Sequence, residues 1–284
     1  MRMYWYLLGA ALVVVTVSGC SRGGIPLERQ RTSTQDLAIS GEVPRVPAGG
    51  KRFIRYADLA RMQQVAYTVR DDTNFDGPVQ LSGVPLDELT SALGVRGGEL
   101  IAAICSDRYE AHYTANYRAQ HHPFLALRMN SQEPGQWPKQ DDGVPFGPYL
   151  ISHASFTPAF HVLAHADEPQ IPIAVVELRY YDEGTVRAEL RPHGAAPGSP
   201  AMLGYEIAME NCLRCHRAGD IGGTKSPYKW AQLSAIARGK PEAFGKWVVR
   251  PESVNPEATM PANPSYDAAT LAALTAYFQS AGAK

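Results

Sequence analysis

The sequence predicts an α+β domain followed by a smaller all-α domain. Three observations carry that reading: short runs rich in β-branched and aromatic residues as far as Tyr181, a Pro- and Gly-rich break after His193, and capped helical stripes beyond it. The chain has 284 residues, 45% of them hydrophobic and 19% charged, enough for about two domains with real cores. Its formal net charge is −1, so there is no basic surplus to hold a phosphate backbone, and nucleic acid is excluded as an expected partner.

Taken in order, residues 1–19 have one early Arg, an apolar run from Tyr4 to Val17 and small residues ahead of a cysteine, the architecture of an export signal. Val17-Ser18-Gly19-Cys20 resembles the lipobox of bacterial lipoproteins. That resemblance implies cleavage before Cys20, lipidation of its sulfur, and a protein anchored on the periplasmic side of a membrane. Residues 20–50 are polar and broken by Pro44, Pro47, Gly49 and Gly50, and read as a tether.

Residues 51–192 form the first domain. Val79–Leu81, Leu100–Cys105, Phe124–Arg128 and Ile171–Tyr181 are its expected strands. In Pro85–Leu93, Leu86, Leu89 and Leu93 recur at helical spacing and Gly94 ends the run. Residues 193–198 are a linker, and 199–284 are helical. There Ser199-Pro200 offers an N-cap and a proline at the first helical position, with Leu203 and Ile207 on one side up to Cys212. Asp267 caps a last helix whose Leu271, Leu274, Tyr277 and Phe278 form one stripe, with Gly282 beyond it.

The chemistry concentrates in Asn211–Gly219, NCLRCHRAG. A redox dithiol would want an adjacent βαβ pattern, and structural zinc would want a second ligand pair; no Cys or His follows His216. The remaining reading is one covalently bound haem c, with Cys212 and Cys215 adding to its vinyl groups and His216 on the iron. Met260 is the only methionine after His216, and lysines would have to lose a proton to bind, so elimination makes Met260 the second axial ligand. With both axial positions filled, the group transfers electrons and leaves no position open for substrate.

The segment 200–284 resembles a class I c-type cytochrome domain. Gly204 stands where that family has a glycine ahead of CxxCH, Gly219–Pro227 is the following loop, Met260-Pro261 matches the ligand methionine, and Leu274–Tyr277 matches the aromatic-bearing last helix. The resemblance implies a proline carbonyl accepting the other ring N–H of His216, and Pro227 is the candidate. Ala208 departs from the family's bulky aromatic on the first helix, leaving Tyr205 or Met209 to fill that space.

In the first domain, Val79–Leu89 with its G-x-P-L-x-x-L pattern at Gly83, Pro85, Leu86 and Leu89, followed by Leu93-Gly94-Val95 and Cys105–Tyr109, resembles the molybdopterin domain of the sulfite oxidase family. The family's metal-ligating cysteine lies upstream of this helix, whereas no cysteine stands between Cys20 and Cys105. The resemblance therefore implies the fold without molybdopterin, serving as a docking or adapter module for redox partner proteins. Two other functions stay open: a sulfite-dehydrogenase-like molybdoenzyme with Cys105 recruited as ligand and a fused haem c, and a haem-linked ligand sensor. His112, His121, His122, His153, His161 and His165 read as structural or surface residues. Cys105 reads as a small core residue.

Overall fold

In a computed structural model, residues 24–140, 143–156 and 169–281 are described. Cys20, His161, His165 and Gly282 lie outside them. The elements run β1 (Leu37–Gly41), β2 (Lys51–Ile54), α1 (Tyr56–Leu59), β3 (Val65–Val69), β4 (Val79–Pro85), α2 (Leu86–Ala92), β5 (Glu99–Cys105) and β6 (Glu110–Tyr113). They continue with α3 (Ala115–His121), β7 (Phe124–Met129), β8 (Leu150–Ser152), β9 (Val175–Asp182) and α4 (Glu183–Leu190). The last four helices are α5 (Pro200–Ile207), α6 (Trp230–Gly239), α7 (Pro241–Val249) and α8 (Ala268–Ser280). The chain is thus mixed α and β with two sheets, ordered β2-β1-β9-β5-β6 and β3-β4-β7-β8.

Strand β7 of the second sheet is apolar from Phe124 to Leu127 and again at Met129, with the exposed Arg128 between. Leu125 and Leu127 face the core shared with the first sheet, while Phe124, Ala126 and Met129 face a second cluster with Trp137 and Phe146. Both faces of β7 are covered from Phe124 to Leu127, so period-2 alternation has nothing polar to show there. Helix α2 sits where Leu86 and Leu89 predict it, with both leucines buried, and Gly94 follows in a left-handed turn.

Residues 37–50 correct the tether expectation. β1 lies inside the first sheet, parallel to β9 and antiparallel to β2, and Leu37 and Ile39 are fully buried. The Pro- and Gly-rich stretch that follows is the turn into β2. A five-residue strand between polar segments carries too little local signal, and its pairing partner is far along the chain. Upstream, Ile25 is also buried and Glu28 exchanges backbone hydrogen bonds with Phe53.

The same sheet holds a buried carboxylate. Glu177 accepts from Ser40 Oγ at 2.5 Å and Arg179 Nη2 at 3.1 Å, and pairs with Lys51. Burial raises its pKa, but the bonds from Lys51 and Ser40 and the charge of Arg179 outweigh burial and hold it below the usual carboxylate value of 4.5. A depressed folded pKa contributes stability that is present above the unfolded value and lost as pH falls through the folded one. Acid titration of unfolding should therefore show a stability loss setting in below the ordinary carboxylate pKa. Glu177→Gln should cost about 1–3 kcal/mol near neutrality and flatten that acid limb. An unchanged acid limb in the variant would remove Glu177 from the account.

The C-terminal helices pack around aromatic residues. Tyr205 lies 5.8 Å from Tyr277, Trp230 lies 4.9 Å from Phe278, and Phe244 lies 5.4 Å from Phe278, ring centre to ring centre. Tyr205 and Met209 are both buried, in the same hydrophobic cluster as Ala208. Asp267 caps α8 as expected, accepting from Thr270 N–H at 2.8 Å. Ser199 occupies the N-cap position of α5 but its hydroxyl caps nothing, so Pro200 at the first helical position is the start signal there.

This helical cluster also takes in Leu100 of β5 and Val186 and Leu190 of α4. Tyr277 Oη donates to the Leu190 carbonyl at 2.9 Å and accepts from Trp230 Nε1 at 3.1 Å. The two halves of the chain thus share buried side chains across the break at 193–198.

Candidate haem-binding site

Helix α5 runs into a π-helical turn, Ala208–Cys212, which widens the helix just where the CxxCH sequence begins. Cys215 N–H and His216 N–H both donate to the Cys212 carbonyl, at 3.2 and 3.0 Å, so the three residues share one tight turn. Cys212 and Cys215 are half-buried, Cys215 is a free thiol, and His216 is buried. Burial raises the Cys215 thiol pKa, which does not suit a reactive redox dithiol, whose attacking sulfur needs a lowered value.

His216 Nδ1 lies 2.7 Å from the Tyr228 carbonyl oxygen. A carbonyl can only accept, so Nδ1 carries the proton and Nε2 keeps its lone pair. Burial lowers the imidazole pKa and the bond to Tyr228 raises it in part, with a net lowering that favours the neutral ring. A neutral imidazole of fixed tautomer is what a metal ligand requires. The acceptor corrects the expectation for Pro227: the carbonyl one residue later does this work. The loop is held by Ser226 N–H on the Cys215 carbonyl at 3.1 Å and Trp230 N–H on the Arg217 carbonyl at 2.9 Å, which leaves the Tyr228 carbonyl opposite the ring. No side-chain signature could have distinguished the two, because any residue supplies a carbonyl.

Met260 comes from a separate segment between α7 and α8 and is half-exposed. That segment is tied down on both sides. Asn263 N–H donates to the Val249 carbonyl at 3.1 Å, and Asn211 Nδ2, next to Cys212, donates to Tyr266 Oη at 2.7 Å. Gly204 permits the helix crossing that closes the site, because a Cβ there would lie 1.9 Å from the Ala273 carbonyl oxygen of α8.

The residues present fit a covalently attached haem: two cysteines on one turn, an imidazole with Nε2 available, and a thioether on an anchored loop. They do not fit a molybdenum centre on Cys105. That thiol is buried in the core of the first domain, packed among apolar side chains.

The histidines of the first domain divide sharply. His121 ends α3 facing inward and His122 is exposed in a left-handed conformation, so they point apart for a helical reason, not as neighbours on a strand. His153 is buried, with Nε2 at 3.1 Å from Tyr117 Oη, and burial pushes its pKa down to about 4. Phe156 stacks on His121 at 4.5 Å. His112 is buried on β6, with its Nε2 3.5 Å from Glu110 Oε2. Among the described residues no group of three or more His, Cys, Asp or Glu is arranged to hold a metal ion, and no helix is long and apolar enough to cross a membrane.

No family model and no curated protein sequence matches the chain. Among solved structures it is similar to the sulfane dehydrogenase SoxCD from Paracoccus pantotrophus, at 17% identity and a TM-score of 0.35. The match covers 54% of this chain and 40% of that one, so this chain spans well under half of its relative. A likeness that weak leaves the functional reading to rest on the residues of this chain.

Proposed function

We propose that this chain is a monohaem c-type cytochrome that passes single electrons between redox partner proteins. It is held by a lipid on Cys20 at the periplasmic face of a membrane, with residues 51–192 as its docking module. The observation that carries the reading is the 2.7 Å bond from His216 Nδ1 to the Tyr228 carbonyl, which leaves an Nε2 lone pair on a ring that shares one turn with Cys212 and Cys215. When bound, haem supplies a one-electron couple that histidine–methionine ligation raises in potential. Cys212 and Cys215 would hold it covalently, each thiol S–H adding across a vinyl group with no leaving group. His216 and Met260 would ligate its iron, and the bond to Tyr228 keeps the proton off Nε2. Nothing in this role requires bond chemistry at the first domain, and the burial of Cys105 in its core favours this reading over a molybdoenzyme.

The test is metal analysis of protein matured with haem lyases, together with its oxidised and reduced visible spectra. One iron per chain, no molybdenum, and a far-red oxidised band that disappears in Met260→Ala are expected. Loss of a thioether ligand should also lower the reduction potential. Stoichiometric molybdenum, or an unchanged spectrum in Met260→Ala, would overturn the assignment.

A further inference from the structure

The turn from β5 into β6, residues 105–109, meets the CxxCH loop directly. Arg108 sits at φ 73°, a left-handed conformation that strains a non-glycine residue. In that conformation its carbonyl accepts Thr224 N–H at 3.0 Å. Two residues on, Glu110 N–H donates to the carbonyl of Arg214, between the two haem-binding cysteines, at 2.9 Å. Gly223 N–H in turn donates to the Leu213 carbonyl at 2.9 Å. The three backbone segments lie so close that a Cβ on Gly223 would stand 1.9 Å from the Arg214 oxygen and 3.1 Å from the Arg108 oxygen. Outside this junction, Lys225 Nζ pairs with Asp107 Oδ2 at 2.5 Å.

A second grip lies at the start of the loop. Gln170 is fully buried, and its Nε2 donates to Glu210 at both the carbonyl, at 3.3 Å, and Oε2, at 3.0 Å. Its own backbone is fixed within the first domain: N–H to Tyr117 Oη at 2.7 Å, and carbonyl from Tyr113 Oη at 2.6 Å. The Glu210 carbonyl also takes Arg214 Nε at 2.6 Å.

Resting on the haem reading above, we infer that the first domain is a positioning element of the haem site. Its β5–β6 turn and Gln170 set the backbone of residues 210–215, and through that backbone the placement of Cys215 and His216. Backbone strain persists where its surroundings over-determine it, and here it lies directly on the loop it supports. A simple docking surface would engage side chains on the outside of the haem domain; this one bonds to the Arg214 carbonyl inside the attachment motif and to the Glu210 carbonyl just ahead of it. The first domain therefore tunes the haem by orienting its ligand, in the way groups behind a ligand tune a metal, and holds the loop in shape before attachment.

The experiment uses the full chain. Asp107 and Lys225 are each roughly half-exposed, so Asp107→Lys opposes Lys225 without disturbing the core, and Asp107→Lys/Lys225→Asp restores the pair with its charges reversed. Amide exchange at Glu110 and Thr224, the reduction potential and covalent iron per chain are measured in all three proteins. Asp107→Lys is expected to speed exchange at Thr224 about fivefold, the upper range for an exposed pair turned repulsive, and to shift the potential. The double variant should return both toward wild-type values, short only of what the lost Tyr109 N–H bond to Asp107 Oδ1 contributed. Exchange that rises while the potential stays fixed would make the turn a docking contact and overturn the inference, as would exchange that does not move. A wild-type chain without covalent iron overturns the haem reading instead, and the exchange comparison then still decides whether the turn holds the loop.

Discussion

His216→Ala is expected to convert the visible spectrum from low-spin to high-spin and to lower the yield of attached haem iron. The neighbouring cysteines can still form their thioethers, so colour should persist at reduced yield while the ligand field collapses. Removing a group that merely orients a metal ligand costs roughly 10- to 100-fold in affinity, and removing the ligand itself must exceed that. The variant also leaves the Tyr228 carbonyl, now 2.7 Å from a proton donor, without that donor. Tyr228 is exposed, so water can replace that donor, and the apo-protein should lose only the roughly 1 kcal/mol that such a bond contributes. Absorption spectroscopy and thermal unfolding of matched holo and apo samples separate the two effects. A low-spin spectrum unchanged in His216→Ala would mean that another residue ligates the iron.

The second large effect is expected at Gly204. Helices α5 and α8 cross there, and the position a Cβ would take lies 1.9 Å from the Ala273 oxygen and 2.4 Å from its carbonyl carbon. These are backbone atoms inside a helix and cannot swing aside. Gly204→Ala must therefore push the helices apart, loosening the ring packing of Tyr205, Tyr277 and Phe278. Overpacking of this kind costs about 3 kcal/mol, and Gly204→Val should cost more. Calorimetry should show a fall in Tm of roughly 6 °C or more for Gly204→Ala, at about 2 °C per kcal/mol for a chain of this size. The usual gain from replacing a helical glycine by alanine, about 1 kcal/mol, is too small to offset it. A neutral or stabilising result would mean that the crossing is wider than the structure has it.

How far the residues could be read in advance differed by kind of signal. The motif NCLRCHRAG carried its chemistry in side chains at fixed spacing, so Cys212, Cys215 and His216 were legible as one unit. Pro85–Leu93 was legible because a helix writes its period into its own sequence, and Gly204 because close helix contact demands a particular residue. The acceptor for His216 was misplaced by one position because a carbonyl belongs to every residue alike. β1 was read as tether because five residues between polar stretches owe their strand conformation to β9, far along the chain. Thr114 and Asp182 do mark the starts of α3 and α4 locally as N-caps, whereas the roles of Arg108 and Gln170 have no local mark.

The amino-acid sequence by itself determined the donor set and the local elements, since thiols, an imidazole and a hydrophobic period are properties of neighbours along the chain. Tertiary structure alone decided which carbonyl orients His216, that residues 37–41 complete the first sheet, and that Arg108 and Glu110 bond into the CxxCH loop. Those are backbone hydrogen bonds between distant segments, and every peptide unit carries the same donor and acceptor. Only the packing of apolar faces selects which of them meet.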